Sequence, residues 1–222
     1  NTIDDKCKYV KMLEEYKLPV TKSFCVINSS KSKKVSLEKC MKIIDKCKKL
    51  GWLELFVKPV LGTGAWGTEI ISLKKDEEAV KNLQIYLNTA FLKYKYPKIM
   101  FQKNHREFGT KKLEVRMVYI GNVYQYTVMN SICGEWKAPR SEGGTMQTPY
   151  LEKLKVICNK VINKVIKPLL KGKPNLYTRI DFGCCIDNKL QYFINEIEYA
   201  GGLMSFMNNR EYNIHEKIGN QM

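Results

Sequence analysis

Residues 177–206 of this 222-residue chain read Y-T-R-I-D-F-G-C-C-I-D-N-K-L-Q-Y-F-I-N-E-I-E-Y-A-G-G-L-M-S-F, and the placing of charge in that run restricts what can surround it. Two β-prone stretches, Tyr177–Ile186 and Lys189–Tyr199, flank Asp187-Asn188, a pair that tolerates the positive φ angles of a tight turn. The run therefore predicts a β-hairpin. Side chains alternate along a strand, so Arg179 and Asp181 share one face of the first strand, and Ile194, Glu196 and Glu198 share one face of the second. A turn closed on residues 187 and 188 sets Arg179 opposite Glu196 and Asp181 opposite Ile194. A bulge or a three-residue loop would break that parity.

Three carboxylates on one surface with a single guanidinium repel one another unless a cation joins them. Oxygen ligands without histidine favour Mg²⁺ or Mn²⁺, and Mg²⁺ fills its remaining positions with phosphate and water. The alternative at this level is a solvated hairpin in which Arg179 and Glu196 form an ordinary cross-strand pair.

An apolar fraction of 44% with 11% aromatics predicts a folded chain. No apolar run approaches the roughly 20 residues of a membrane span, and no secretory segment opens the sequence. The sequence begins at Asn1 rather than Met, which leaves room for residues upstream. Eight cysteines, at 7, 25, 40, 47, 133, 158, 184 and 185, form no C-x-x-C pair and have no histidines at zinc spacing. Reduced thiols and a cytoplasmic location are expected. Thirty-eight Lys+Arg against 22 Asp+Glu give a net charge of +16, a field that favours acidic or phosphorylated partners. Nucleic acid is among them, but no arginine-aromatic stripe supports it.

Along the chain, Asp4 and Asp5 precede a helix with Val10, Leu13 and Tyr16 inward, and Pro19 ends it. A strand follows over Val20–Ile27, then a lysine-rich loop. Ser36 is placed to cap a second helix that buries Leu37, Cys40, Met41, Ile44 and Cys47 and stops at Gly51. Asp76 caps a third helix, and Lys98–Lys103 forms a strand. Lys112–Ile120 and Val123–Met129 form a strand pair turning at Gly121-Asn122. A Gly/Pro/Ser-rich loop over 130–149 leads to a long amphipathic helix at Tyr150–Leu170.

Residues 52–73, W-L-E-L-F-V-K-P-V-L-G-T-G-A-W-G-T-E-I-I-S-L, place two strands around a glycine-rich turn. Gly62, Gly64 and Gly67 permit close backbone approach to an anion, and Lys58 brings a positive charge. The segment lacks the G-K-[ST] of a P-loop and precedes a strand, which excludes a Rossmann fingerprint. A phosphate-gripping hairpin and a merely flexible one remain open on these residues alone.

The ordered set of K-P before a glycine turn, a strand ending at Gln102-Lys103, Glu114 followed by Arg116, and the final R-x-D…E-x-E hairpin resembles the ATP-grasp superfamily of carboxylate ligases. The resemblance implies an α+β fold of two lobes whose antiparallel sheets grip nucleotide between them. Residues 1–103 would form the N-terminal lobe with the phosphate loop, and residues 104–222 the C-terminal lobe with the metal-binding hairpin. It further implies that Lys6 and Lys58 contact ATP phosphates and that Gly62, Thr63, Gly64, Ala65 and Gly67 close over them. Gln102 and Lys103 would hold adenine, and Glu114 the ribose hydroxyls, with Arg116 nearby. Arg179 would stabilise the transferred phosphoryl group, and Asp181, Glu196 and Glu198 would ligate Mg²⁺ or Mn²⁺. Arg140, Gly143 and Gly144 fall where related ligases bind the acceptor. Glu198 departs from the usual E-x-N, adding a carboxylate. The separate domain that usually precedes the lobes either lies upstream of Asn1 or is lacking in a minimal version.

The activity so implied is ADP-forming: ATP activates a carboxylate as an acyl phosphate, which an amine or similar nucleophile attacks. Two rivals stand beside it, a kinase of the same fold acting on a polyanionic small molecule and a non-catalytic nucleotide- or nucleic-acid-binding module. A homodimer is open, and no membrane association is expected.

Overall fold

The computed structural model describes residues 5–28, 34–61, 66–105, 114–130, 136–137, 148–173, 175–185 and 191–198. It divides into two compact units. One joins the described residues up to Val10 with Thr21–Asn104; the other joins Lys11–Val20 with the described residues from His105 onward.

The first unit is a four-stranded antiparallel sheet in the order β1-β4-β2-β3, with β1 at Ser23–Ile27, β2 at Glu54–Pro59, β3 at Glu69–Ser72 and β4 at Lys98–Lys103. Helices α2 (Leu37–Lys49) and α3 (Asp76–Asn88) pack on one face of it. The Ser36 side chain accepts from the Lys39 N–H at 3.2 Å, so the expected N-cap forms. Cys40, Ile43, Ile44 and Cys47 then fall at helical spacing over Leu55, Val57, Ile71, Ile99 and Phe101. Leu37 and Met41, expected inside, are instead about half exposed, because the buried stripe is rotated to take in Ile43 beside Cys40, Ile44 and Cys47. Tyr16, just past the end of the first helix, is likewise exposed. Asp76 is not the cap of α3 but its first residue, and its carboxylate pairs with Lys48 of α2.

The other face of this sheet carries Lys58, Met100 and Cys25 in one cross-strand row, and Phe56, Gln102 and Ser23 in the next. Helix α1 (Lys6–Glu15) begins over it. Asp5 caps α1 by accepting from the Cys7 N–H at 3.0 Å, and its second oxygen pairs with Lys98 at 2.7 Å. Cys7 and Cys25 form a disulfide, Cα atoms 6.3 Å apart, which corrects the expectation that every cysteine is a thiol. Cys40, Cys47 and Cys158 are buried thiols. Closing a loop of 18 residues stabilises by about 3 kcal/mol in the chain-entropy picture. Urea unfolding with and without dithiothreitol should therefore differ by that amount, and the difference should vanish in Cys7→Ser.

In the second unit five strands run in the order β7-β6-β5-β8-β9. They are β5 (Glu114–Ile120), β6 (Val123–Asn130), β7 (Trp136–Lys137), β8 (Tyr177–Cys185) and β9 (Gln191–Glu198). The β5–β6 turn uses Gly121 and Asn122, both at positive φ as the hairpin reading requires. Helix α4 (Thr148–Val161) continues through a π-helical turn at Ile162–Ile166 into α5 (Lys167–Leu170). It buries Leu154, Cys158, Val161, Ile162 and Val165 and meets the sheet at Met117, whose sulfur accepts from Cys158 at 3.6 Å. The expected strand over Val20–Ile27 is shorter: it starts at Ser23, and Val20 instead forms an isolated bridge to Ile194. No helix among the described residues is long and apolar enough to cross a membrane.

Candidate functional site

The face of the second sheet turned away from α4 holds the titratable cluster. Cross-strand pairing sets Arg116 beside Asp181 and Asp181 beside Glu196 in one row, and Arg179 beside Glu198 in the adjacent one. Glu114 pairs with Gly183 in the row beyond. The register differs by two residues from the simple hairpin: Cys185 already faces Gln191, one residue out, and a bulge between Asp181/Phe182 and the facing strand absorbs Asn195 and adds the second. Arg179 therefore faces Glu198 rather than Glu196, Asp181 faces Glu196 rather than Ile194, and Ile194 turns to the core opposite Phe182. The bulge removes an apolar residue from the charged face and leaves both glutamates on it.

Arg179 Nε and Nη2 donate to the two Asp181 oxygens at 2.7 Å each, and Nη1 lies 3.0 Å from Glu198 Oε2. Arg116 Nε and Nη2 reach Glu114 Oε2 at 2.9 and 2.8 Å, and Nε lies 3.6 Å from Asp181. Asp181 is 1% exposed and Arg179 4%. Burial pushes the Asp181 carboxyl above its ordinary range, and the Glu196 charge adds to that, against the two arginines. Burial likewise raises Glu198 and Glu114, the neighbouring carboxylates adding to the effect. Tyr177, in the same sheet face, has its phenol pushed up to about 12 by burial.

Among the described residues, four carboxylates, Glu114, Asp181, Glu196 and Glu198, stand against two guanidiniums on this face, a formal excess of two negative charges. That excess and the hard oxygen donors fit one divalent cation. The present arrangement is a different matter: among the described residues no three acidic, histidine or cysteine side chains converge as a ready-made metal cage.

On the first sheet, Lys6 (8% exposed) and Lys58 (7%) are buried, and Gln102 (4%) lies one row from Lys58. Cys7, adjacent to Lys6, is tied to Cys25 in the Lys58 row. The structure thus brings Lys6 to the same sheet face as Lys58. The signals for this placement were Cys7, Cys25 and Lys98, none of which has a recognisable spacing. Lys103 ends β4 exposed, with its N–H donating to the Lys22 carbonyl. Gly67 has φ +72°, and its carbonyl accepts from the Tyr86 hydroxyl at 2.7 Å. A Cβ there would lie 3.0 Å from Pro59. Gly67 therefore anchors the base of the glycine-rich turn. Gly62, Thr63, Gly64, Ala65, Arg140, Gly143 and Gly144 lie outside the described residues, as does the Asp187-Asn188 turn.

No family model and no curated protein matches the sequence. Solved structures do. The D-cycloserine synthetase DcsG superposes with a TM-score of 0.69 at 12% identity, over 99% of this chain and 70% of that one. The ATP-grasp ligase PsnB, solved with a phosphomimetic variant of a minimal precursor, Mg and ADP, gives 0.60 at 15%, over 98% of this chain. This is the ATP-grasp fold. The D-alanine–D-alanine ligase of Bacillus anthracis, solved with ATP, shares it at a TM-score of 0.59 and 13% identity, over 89% of this chain. The chain spans little more than half of those two ligases, 58% of PsnB and 54% of the Bacillus enzyme. Within the ATP-grasp fold of this chain the charged cluster sits on the five-stranded sheet and the buried lysines on the four-stranded one.

Proposed function

We propose that the protein is an ADP-forming ligase that uses ATP to activate a substrate carboxylate for attack by an amine or similar nucleophile. The observation that carries the reading is the acidic face of the second sheet, whose two excess negative charges surround a buried arginine. Asp181, Glu196 and Glu198 would hold Mg²⁺ or Mn²⁺. When bound, the metal neutralises charge on the nucleotide phosphates and on the phosphoryl group in transfer.

The chain's own residues do the rest by position and charge. Lys6 and Lys58 would offer ammonium groups to phosphate oxygens, and the glycine-rich residues 62–67 are assigned to backbone N–H contacts with them. Arg179 neutralises the phosphoryl group as a carboxylate oxygen attacks the γ-phosphorus and ADP leaves. The amine then adds to the acyl carbon and phosphate departs with the bond electrons, the amine losing a proton, to leave an amide. Gln102 and Lys103 are assigned to the adenine and Glu114 to the ribose, which requires Glu114 to exchange Arg116 for hydroxyl donors. Arg140, Gly143 and Gly144 are assigned to the acceptor.

The test is ADP release from ATP and Mg²⁺ across a panel of carboxylates and amines, with mass analysis of products. Lys58→Ala should lower kcat/KM for ATP by roughly a hundredfold or more, the scale of losing one preorganised charge contact. Unchanged ATP turnover in that variant would count against the scheme. A stable phosphorylated product without amide would assign the chain to phosphoryl transfer instead.

A further inference from the structure

All three nitrogens of the Arg179 guanidinium are committed. Two meet Asp181 as a bidentate fork at 2.7 Å and the third meets Glu198 at 3.0 Å, with the side chain 5% exposed. These carboxylates belong to the set assigned to the metal. A lone pair that accepts a short N–H bond is not free to coordinate a cation, and a dication close to the guanidinium is repelled by it. The fork takes one lone pair on each Asp181 oxygen and one on Glu198 Oε2, so metal and arginine compete for these carboxylates through the occupied sites and, above all, through their mutual repulsion. The arginine has an equal claim elsewhere, since paired phosphate oxygens offer the same fork acceptor as a carboxylate. Arg116 lies 3.6 Å from Asp181, so Asp181 keeps one cation beside it if Arg179 turns away.

We propose that Arg179 is an exchange counter-ion that makes this face select a divalent metal together with a polyphosphate over the free metal ion. Phosphate oxygens take the guanidinium, and the carboxylates so released take the metal. The inference rests on the reading of Asp181, Glu196 and Glu198 as metal ligands. It makes Arg179 a determinant of metal selection in addition to any role at the phosphoryl group. No bond is broken; the exchange is one of ionic partners.

The experiment is Mn²⁺ binding to the full chain without nucleotide, followed by calorimetry and by loss of the free Mn²⁺ resonance signal. Wild type is compared with Arg179→Lys, which keeps the charge but not the fork, and with Arg179→Gln, which removes the charge. Both variants should bind free Mn²⁺ more tightly than wild type by about tenfold, a typical coupling between linked sites. The gain should be larger for glutamine than for lysine. Folding of each variant is checked by its near-ultraviolet dichroism, and either folded variant suffices. Should neither fold, the wild type decides: free Mn²⁺ bound as tightly as Mn²⁺ with a non-hydrolysable ATP analogue overturns the proposal, and weaker binding supports it. Equal Mn²⁺ affinity in wild type and a folded variant overturns the exchange while leaving the metal site standing. No Mn²⁺ binding by any form, with or without analogue, overturns the metal reading and the exchange together.

Discussion

Asp181→Ala should lower the free energy of unfolding by about 3–5 kcal/mol, the cost of removing one partner from a buried ion pair. Asp181 is 1% exposed and takes two Arg179 hydrogen bonds, so its loss leaves a buried guanidinium with Glu198 as its remaining close carboxylate. An opposing effect is present, because the face carries four carboxylates against two guanidiniums and losing one relieves repulsion. The hydrogen bonds win because two donors in a nearly dry site are left without acceptors, whereas the relieved repulsion acts on the partly exposed Glu196 and Glu198. Glu196→Gln isolates the second effect. It should leave stability unchanged or slightly raised, since the Glu196 charge helps to push both Asp181 and Glu198 up. Urea unfolding in EDTA, which removes any contribution from bound metal, measures both. A loss below about 1 kcal/mol for Asp181→Ala, the worth of an exposed pair, would show that water reaches the cluster.

The same residues explain how far the sequence could be read. Local signals were sufficient wherever a cap, a turn or a periodic stripe decides the matter: Ser36 caps α2, and Gly121-Asn122 turns β5 into β6. The gathering of Arg179, Asp181, Glu196 and Glu198 on one face was legible from strand alternation, but their partners were not. A bulge at Asn195 costs only one ladder pair, and no residue type announces it, yet with the one-residue shift already present at Cys185 and Gln191 it gives Arg179 and Asp181 new partners. The Cys7–Cys25 bond was hidden for a similar reason. Their approach depends on α1 being laid across β1, with Asp5 held by Lys98, and sequence separation carries no information about that crossing. Exposure of Leu37 and Met41 shows the same limit, since the direction a buried helical stripe faces is set by what it packs against.

Gly183 gives the second large effect, and it too depends on a tertiary fit. Gly183 stands two residues beyond Asp181 and pairs with Glu114 on one side and Phe193 on the other. A Cβ at Gly183 would lie 2.8 and 2.9 Å from the Phe193 Cε2 and Cε1 atoms, and closer still to Cζ. The Phe193 ring cannot simply swing aside, because it is 9% exposed and stacked on His105 with ring centroids 4.5 Å apart. Gly183→Ala must therefore displace either the ring or the β8–β9 pairing. The expected cost is about 1–3 kcal/mol, the range for an overpacked core. If β9 yields, Glu196 and Glu198 move with it, so ATP-dependent turnover should fall by more than the stability loss alone explains. Phe193→Leu in the Gly183→Ala background separates the two. It removes the ring atoms that clash while keeping an apolar side chain, so recovery of both stability and turnover places the defect at that contact. Recovery of stability without turnover would mean that the Phe193 ring itself contributes to the site, with His105 as its fixed support.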